Sequence, residues 1–382
     1  MRTLVLYGTM GGVPFAGMSW QVLHYLEGFR RLGLDVVYAE DTGTWGYDPF
    51  ANAVTADPTH ALRVISEAMA WSGLGDRWFY RSAADGRLHG PLADRHDELL
   101  AGADILVNLT GATVLDEQKQ RVPVRIYLET DPVRPQIELA QGAGKTQAFL
   151  AAHTHHFTFG ENLGGADCGV PATSFMYAPT RQPVVLDWWE TSGTQPNGAF
   201  TTIGNWRQEG KDIEWEGELY RWSKHHEFLR FLDLPRQTGA PLELALSSID
   251  GDDTRLLEEH GWRVTSAFDV STGRDRYRSY IQSSAGEFTV AKDQNVRLRS
   301  GWFSDRSACY LAAGRPVVTQ DTGFACALPT GDGLFAVTDT SEAAAALEAI
   351  RSDYARHSDA AREIAAEHFR AETVLARMLD EL

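Results

Sequence analysis

The sequence has few cysteines and no long apolar stretch, and each shortage excludes a class of protein. Its three cysteines, Cys168, Cys309 and Cys326, are widely spaced and form no C-x-x-C group, so they predict neither a disulfide framework nor a zinc site. No stretch approaches the roughly 20 apolar residues that a membrane helix needs. The apolar residues 3–7 are followed by glycines, which predicts a first β-strand rather than a signal peptide. We therefore expect a soluble, cytoplasmic protein.

Basic residues are also scarce. Lysine and arginine number 35 against 52 aspartates and glutamates, and the formal net charge is −17. Proteins that bind DNA or RNA usually present a basic face. The longest basic run here is the short patch Lys224-His225-His226. We therefore expect no nucleic-acid partner.

Two successive series of alternating strands and helices are predicted along the chain. Its 382 residues suit two domains of roughly 150–200 residues each. The first series opens with a strand at 3–7, a helix at about 19–32 with Ser19 as its N-cap, and a strand at 34–39, which together predict a parallel sheet. Further strands are expected at 104–109, 124–128 and 155–160, and then near 200–203, 242–247, 262–264, 288–290 and 316–319. The polar residues 186–199 between the two series predict a linker.

Residues 300–324 combine a loop, a short helix and a buried strand in a pattern that suits phosphate binding. The helix is expected to open at about Ser304 and to end at Gly314, and Pro316 starts the strand. In open parallel sheets, ligands bind beyond the carboxyl ends of the strands. A helix N-terminus at that edge offers free N–H groups and a positive dipole end to phosphate. From the pattern alone, an ordinary α/β crossover remains the alternative.

The segment Ala312-Ala313-Gly314-Arg315-Pro316-Val317-Val318 resembles the helix–"A-x-G-x-P-V-V"–strand segment of GT-B glycosyltransferases. The resemblance implies an α/β protein with two Rossmann-like parallel-sheet domains facing across a cleft. It also implies that the loop after the strand touches the donor sugar, and that the start of the helix lies near the diphosphate or ribose. The residues implied in these two roles are Gln320, Asp321, Thr322 and Gly323 for the sugar, and Ser304, Asp305 and Arg306 for the diphosphate or ribose.

The resemblance departs from the family at one point. Many retaining members carry two glutamates eight positions apart, and those positions hold Gly301 and Cys309 here. Neither side chain can act as a carboxylate. The chain is therefore similar to bacterial GT-B enzymes of a family 1/4-like type that lack the paired glutamates, and the stereochemical outcome stays open.

The resemblance also gives expectations for the domains. Residues 1–190 are expected to form an acceptor-binding domain, and residues 191–355 a nucleotide-sugar-binding domain. Residues 356–382 are expected to be helices that pack back on the first domain. The cleft between the domains is expected to close on binding.

A second segment, residues 203–211, resembles the first strand and loop of the family's C-terminal domain, where cations bind the diphosphate. The resemblance implies that Asn205, Arg207 and Lys211 bind the donor, because a leaving diphosphate needs fixed positive groups. A solvated surface loop is the alternative. Thr265, which follows the strand at 262–264, is added to the predicted donor-binding set.

The first domain supplies a glycine loop and a candidate base. Gly11 and Gly12 follow the first strand without the G-x-G-x-x-G spacing of dinucleotide sites, so they predict either a loop that approaches the donor or a plain tight turn. Asp131 follows the strand at 124–128, and a carboxylate at that edge could take a proton from an acceptor hydroxyl. Helix capping or a structural hydrogen bond is the alternative for Asp131.

No metal and no cofactor are predicted beyond a nucleotide-diphosphate sugar as co-substrate. The histidines at 153, 155 and 156 have no carboxylate or cysteine at ligand spacing. The predicted function is a hexosyltransferase-type glycosyltransferase that acts on a hydroxyl-bearing small molecule, with bacterial natural-product biosynthesis as one setting for it. An epimerase or phosphorylase on the same fold and a non-catalytic sugar-nucleotide-binding partner remain alternatives, and the oligomeric state is open.

Overall fold

A computed structural model describes residues 2–191 and 196–382. Most of the predicted linker at 186–199 is described, but its residues 192–195 lie outside the described part of the chain. The strands of the first half are β1 (Thr3–Tyr7), β2 (Asp35–Glu40), β3 (Gly46–Asp48), β4 (Ala53–Thr55), β5 (Trp78–Arg81), β6 (Leu88–His89), β7 (Ile105–Leu109), β8 (Val124–Glu129), β9 (His155–Thr158) and β10 (Tyr177–Pro179). Its helices are α1 (Ala16–Arg31), α2 (Thr59–Trp71), α3 (His96–Ala101), α4 (Arg134–Ala140) and α5 (Gly144–Ala151).

The second half repeats the alternation with its own sheet. Its strands are β11 (Phe200–Asn205), β12 (Ile213–Trp215), β13 (Glu218–Tyr220), β14 (Leu242–Ser247), β15 (Arg263–Ser266), β16 (Gly286–Thr289), β17 (Val317–Gln320) and β18 (Leu334–Val337). Its helices are α6 (His225–Arg230), α7 (Leu234–Gln237), α8 (Gly251–Glu259), α9 (Ala267–Ser271), α10 (Arg274–Ser283), α11 (Asp293–Arg297), α12 (Asp305–Ala312), α13 (Thr340–Ser352), α14 (Tyr354–Ile364) and α15 (Ala371–Asp380).

Two largely parallel sheets form the centres of the two halves. The first has the strand order β10-β9-β8-β7-β1-β2-β5-β6, and the second has the order β15-β14-β11-β16-β17-β18. In the first sheet only the β5–β6 pair is antiparallel. The central strands β1 and β7 are buried along nearly their whole length because helices cover both faces of the sheet. The repeated strand–helix alternation therefore folds as the sequence predicts.

The helix after β1 begins earlier than predicted. The sequence places its N-cap at Ser19, but α1 begins at Ala16 with Phe15 as N-cap, and the carbonyl of Phe15 accepts the N–H groups of Met18 and Ser19. Ser19 is buried inside the helix. The expected cap is incorrect because the helix begins three residues before Ser19, whose own N–H already bonds to the Phe15 carbonyl.

The last helix returns to the first half of the chain. Helix α15 packs against α1, and Arg31 of α1 bridges Glu372 at 3.0 Å. Gly28 permits the close approach, since a Cβ there would lie 2.5 Å from a Leu375 methyl carbon. Helix α14, in contrast, packs against α12 and β18.

The domain bounds predicted from the sequence stay a prediction.

Among residues 2–191 and 196–382, no helix is both long and apolar enough to cross a membrane.

Candidate active site

A cleft of about 750 Å³ lies where the carboxyl ends of the two sheets meet. The first half contributes residues that follow β7, β8 and β9, and the second half contributes the end of β11, residues after β16 and the start of α12. Its lining comprises Met18, Gln21, Thr110, Tyr127, Thr130, Asp131, Arg134, Pro135, Phe159, Gly204, Asn205, Gln208, Gly210, Lys211, Trp222, Lys224, Lys292, Trp302, Ser304, Asp305 and Arg306. The position agrees with the rule that ligands bind beyond the carboxyl ends of parallel strands.

The cleft is cationic although the chain is acidic. Five lining side chains, Arg134, Lys211, Lys224, Lys292 and Arg306, are basic. Two carboxylates share the lining, in a protein whose net charge is −17. A concentration of positive charge in a recessed site favours an anionic ligand.

Lys224 is one of three cations in the cleft lining, with Arg134 and Lys292, that the sequence argument missed. It precedes α6 and lies with its ammonium nitrogen 5.1 Å from the centre of the Trp302 ring. Burial, together with the nearby cations Arg306 and Lys292, lowers the pKa of Lys224 to about 7. The sequence shows Lys224 only as part of a short basic patch. Its place at the start of the first helix after β11 is the signal that could have indicated it.

Asp131 forms an ion pair with Lys292 across the cleft. The Lys292 ammonium also lies 3.3 Å from the centre of the Trp222 ring, and Lys211 lies 4.6 Å from the same centre. Burial lowers the pKa of Lys292, and the Asp131 charge opposes that shift. Asp131 is thus in the cleft, where the sequence predicts it, but it already has a cationic partner.

The start of α12 faces the same cleft. Its N-cap, Ser304, makes no side-chain hydrogen bond to the helix. Arg306 lies below it and donates to Glu287 at 2.5 Å, to the Ile203 carbonyl at 2.6 Å and to the Thr289 hydroxyl at 2.9 Å. These bonds fix the guanidinium at the floor of the cleft. Free N–H groups at a helix start beside a fixed cation are suited to binding phosphate.

Asp305 lies where the cleft meets a second cavity of about 260 Å³. Burial raises the pKa of the Asp305 carboxyl, and the adjacent Arg306 opposes the shift. The second cavity shares Met18, Gly204, Asn205, Asp305 and Arg306 with the cleft and is otherwise lined by Val13, Phe15, Gly17, Ile203, Ser247, Ala267, Ser271 and Tyr277. It forms a mainly apolar branch of the cationic cleft.

The glycine loop after β1 binds the protein's own carboxylate. Gly11 and Gly12 donate their backbone N–H groups to Glu40 at 2.8 and 2.5 Å, and the Tyr38 hydroxyl donates to the same carboxylate at 2.6 Å. Glu40 is 1% exposed. Burial raises its pKa to about 7 against the effect of these hydrogen bonds. Neither glycine lines the cleft.

The end of β17 and the loop after it make hydrogen bonds within the protein. Asp321 accepts from Arg299 at 2.8 Å and from the Gly323 N–H at 2.8 Å. The Thr322 hydroxyl donates to the Trp302 carbonyl at 2.6 Å, and Gln320 donates to Glu227. None of the residues 320–323 is in the cleft lining.

The remaining predicted donor residues divide into two groups. Asn205 and Lys211 line the cleft. Arg207 does not, and its guanidinium pairs with Asp253 at 2.5 Å. Thr265 lies on β15, the edge strand of the second sheet. The structure thus brings together Asp131, Asn205, Lys211, Ser304, Asp305 and Arg306, and it leaves Gly11, Gly12, Arg207, Thr265, Gln320, Asp321, Thr322 and Gly323 outside the cleft lining.

The two positions without glutamates are closely packed or buried. Gly301 has φ +81°, and a Cβ there would overlap the backbone nitrogen of Asn162. Cys309 is buried, with its sulfur 4.0 Å from the imidazole of His24 on α1. The chain therefore differs from the paired-glutamate pattern in its packing as well as in its residues.

The histidine segment is structural within the described part of the chain. Nδ1 of His153 lies 3.0 Å from the Phe149 carbonyl, and its Nε2 lies 3.0 Å from the Asn108 amide. No group of three or more potential metal ligands occurs among the described residues.

Comparisons with known proteins place this geometry in a known fold. No protein-family model matches the chain, and no curated protein sequence matches it significantly. Several solved structures match over its whole length. AviGT4, a glycosyltransferase involved in avilamycin A biosynthesis, is 13% identical with a TM-score of 0.54, and the match covers 100% of this chain and 96% of that one.

Two further structures are similar to the same extent. HepE from Anabaena in complex with UDP-glucose is 13% identical with a TM-score of 0.55, and both chains are covered completely. Sucrose-phosphate synthase from Thermosynechococcus elongatus is 11% identical with a TM-score of 0.54, covering 100% of this chain and 98% of that one. At these identities the likeness shows the fold alone. The chain has the GT-B fold, which confirms the predicted fold class.

Proposed function

We propose that this GT-B chain is a glycosyltransferase that moves a sugar from a nucleoside diphosphate donor to a hydroxyl group of a small molecule. The observation that carries the proposal is the cationic cleft at the carboxyl ends of both sheets, with the start of α12 at its floor. The similarity to glycosyltransferases solved with UDP or UDP-glucose supports the same reading.

We place the donor diphosphate at the start of α12. There the backbone N–H groups, the Lys224 ammonium and the fixed Arg306 guanidinium would bind its oxygens. The bond between the sugar C1 and the diphosphate oxygen breaks during transfer, and the departing oxygen gains negative charge. Fixed donors and cations at that oxygen stabilise the transition state more than the ground state. The apolar branch of about 260 Å³ is the proposed position of the nucleoside.

We propose Asp131 as the base. The acceptor oxygen forms the new bond to C1 and passes its proton to the Asp131 carboxylate, and the diphosphate takes the electron pair of the broken bond. Lys292 orients that carboxylate through its ion pair. Replacement of Asp131 by asparagine is expected to lower turnover by about 10²–10⁴-fold and to leave UDP affinity within twofold.

Three further features belong to the proposal. The donor would be the one co-substrate, with lysine and arginine in place of a metal ion at the diphosphate. A place in natural-product biosynthesis follows the analogy with AviGT4. Three unpaired thiols suit a reducing, cytoplasmic setting.

A two-step experiment tests the proposal. Calorimetric titrations with UDP, dTDP and GDP should show binding of at least one, and absence of binding to all three would contradict it. The preferred nucleotide then selects a donor panel, whose products are followed by mass spectrometry. Free sugar or transfer products support the transferase. Interconversion of donor epimers would assign an epimerase instead, and binding without any turnover would assign a binding protein.

A further inference from the structure

A second feature of the cleft concerns the acceptor, and it rests on the proposed function. Arg134 lines the cleft from the first half of the chain. Its Nε donates to Glu138 at 2.7 Å, and the other oxygen of Glu138 accepts from the Thr146 hydroxyl at 2.6 Å. The chain Thr146–Glu138–Arg134 holds one edge of the guanidinium in a fixed position.

One terminal nitrogen of the guanidinium is unsatisfied. Nη1 of Arg134 is buried and has no hydrogen-bond partner. A buried donor without a partner is unfavourable, and a hydrogen bond from Nη1 to a ligand atom in the cleft would remove that cost. The planar fork of arginine is suited to the paired oxygens of a carboxylate or phosphate.

The part of the cleft lining around Arg134 is compatible with an anionic ligand. Among the described lining residues from the first half of the chain, the one carboxylate is Asp131, and Lys292 neutralises it. Gln21 reaches the same cavity from α1, is 5% exposed, and has a buried amide oxygen without a partner. This part of the lining therefore offers an unpaired N–H for an anion and an unpaired oxygen for a hydroxyl.

We propose that Arg134 selects an acceptor that carries an anionic group, a carboxylate or a phosphate, and that it does not bind the donor. The proposed donor position is at the start of α12, which lies in the second half of the chain, whereas Arg134 lies in the first half. With the donor site filled, the cleft should therefore retain a second anion site that depends on Arg134.

The test uses the UDP-saturated protein. Calorimetric titration with inorganic phosphate and, separately, with sodium acetate should show binding of at least one anion. Arg134→Gln should weaken that binding at least tenfold, and Arg134→Lys should retain part of it because a point charge remains. UDP affinity should stay within twofold in both variants. Arg207→Gln, at a cation paired with Asp253 outside the cleft lining, is the matched control and should change neither affinity.

The two anion titrations distinguish the possible kinds of acceptor. Binding of phosphate alone would assign a phosphate-bearing acceptor, and binding of acetate would assign a carboxylate. The inference is overturned if neither anion binds the UDP complex, or if Arg134→Gln leaves the anion affinity unchanged. It is also overturned if Arg134→Gln lowers the UDP affinity more than tenfold. Failure of wild-type protein to bind UDP in the first titration would instead contradict the proposed function.

Discussion

The glycine loop after β1 and the start of α12 both present backbone N–H groups near the carboxyl edge of a sheet, and they are used in opposite ways. Gly11 and Gly12 donate to Glu40, a carboxylate from the end of the neighbouring strand β2. At α12 the N-cap Ser304 makes no side-chain cap, and the helix start faces a cationic cleft that also contains the Asp305 carboxyl. The N–H groups of the glycine loop are therefore occupied by the chain's own carboxylate, whereas at the start of α12 the Asp305 carboxyl is accompanied by the cations Lys224 and Arg306.

The parallel pairing of β1 with β2 explains the difference. It carries Glu40 to the edge beside the loop, where the Tyr38 hydroxyl also holds it. The start of α12 has cations beside it instead, with Lys224 in the same lining and Arg306 fixed at the floor. We therefore expect changes at Lys224 to alter ligand binding and changes at Glu40 to alter folding stability.

The largest expected effect is at Lys224. Lys224→Met removes the charge and keeps most of the length of the side chain. Hydrogen bonds to charged groups contribute about 1.5–3 kcal/mol, so UDP affinity measured by calorimetry should fall by about 10–100-fold. Arg207→Gln is the matched control and should lose less than twofold. Equal losses in both variants would mean that the cleft is not the UDP site.

The second prediction concerns Glu40. Glu40→Ala leaves the Gly11 and Gly12 N–H groups and the Tyr38 hydroxyl without their acceptor, so the free energy of unfolding should fall by about 1–3 kcal/mol. Urea denaturation measures this change. UDP affinity should stay within twofold. A tenfold change in UDP affinity with unchanged stability would show that the loop is a ligand site.

The third prediction is a pH dependence of UDP affinity. The folded-state pKa of Lys224 is lowered to about 7, so its ammonium is charged below that pH and loses its proton above it. Binding of a diphosphate above pH 7 then requires proton uptake. Affinity should fall by up to about tenfold per pH unit between pH 7 and 8.5. Lys224→Met should flatten that slope, and an unchanged slope would assign it to another group.

The fourth prediction concerns the stability of the wild-type protein. The folded-state pKa of Glu40 is raised from 4.5 to about 7. Its stabilising contribution is therefore complete below pH 4.5 and is lost as the pH rises through 7. Relative to Glu40→Gln, which cannot ionise, the wild-type midpoint of urea unfolding should decrease between pH 5 and pH 7.5. Parallel pH profiles for the two proteins would contradict the assignment.

The smallest expected effect is at Ser304. An N-cap serine usually contributes about 0.5–2 kcal/mol through its side chain, but Ser304 makes no such bond. Ser304→Ala should therefore change stability by less than about 0.5 kcal/mol. A loss of UDP affinity beyond twofold would sharpen the comparison, since the hydroxyl would then bind the ligand rather than the helix.

The sequence was sufficient for the fold class and for part of the cleft. The segment around Ala312–Val318 is local, and its loop, helix and strand follow from Gly314 and Pro316. It correctly indicated a helix start at Ser304 beside a sheet edge. Asp131 and Lys211 also reach the cleft as expected from their positions after strands.

The remaining features depend on contacts between segments distant in sequence. Lys292 meets Asp131 from a position 161 residues away, and Arg306 meets Glu287 and the Ile203 carbonyl on two different strands. Glu40 takes the N–H groups of the glycine loop through strand pairing. A local pattern shows which segments reach a sheet edge. It does not show which side chains become paired there.

A crystal structure of the UDP complex tests the central claim most directly. The account predicts that the diphosphate oxygens lie within hydrogen-bonding distance of the backbone N–H groups at the start of α12 and of the Lys224 ammonium, with Glu40 still bound to Gly11 and Gly12. A diphosphate bound to the Gly11 and Gly12 N–H groups, with Glu40 displaced, would contradict it.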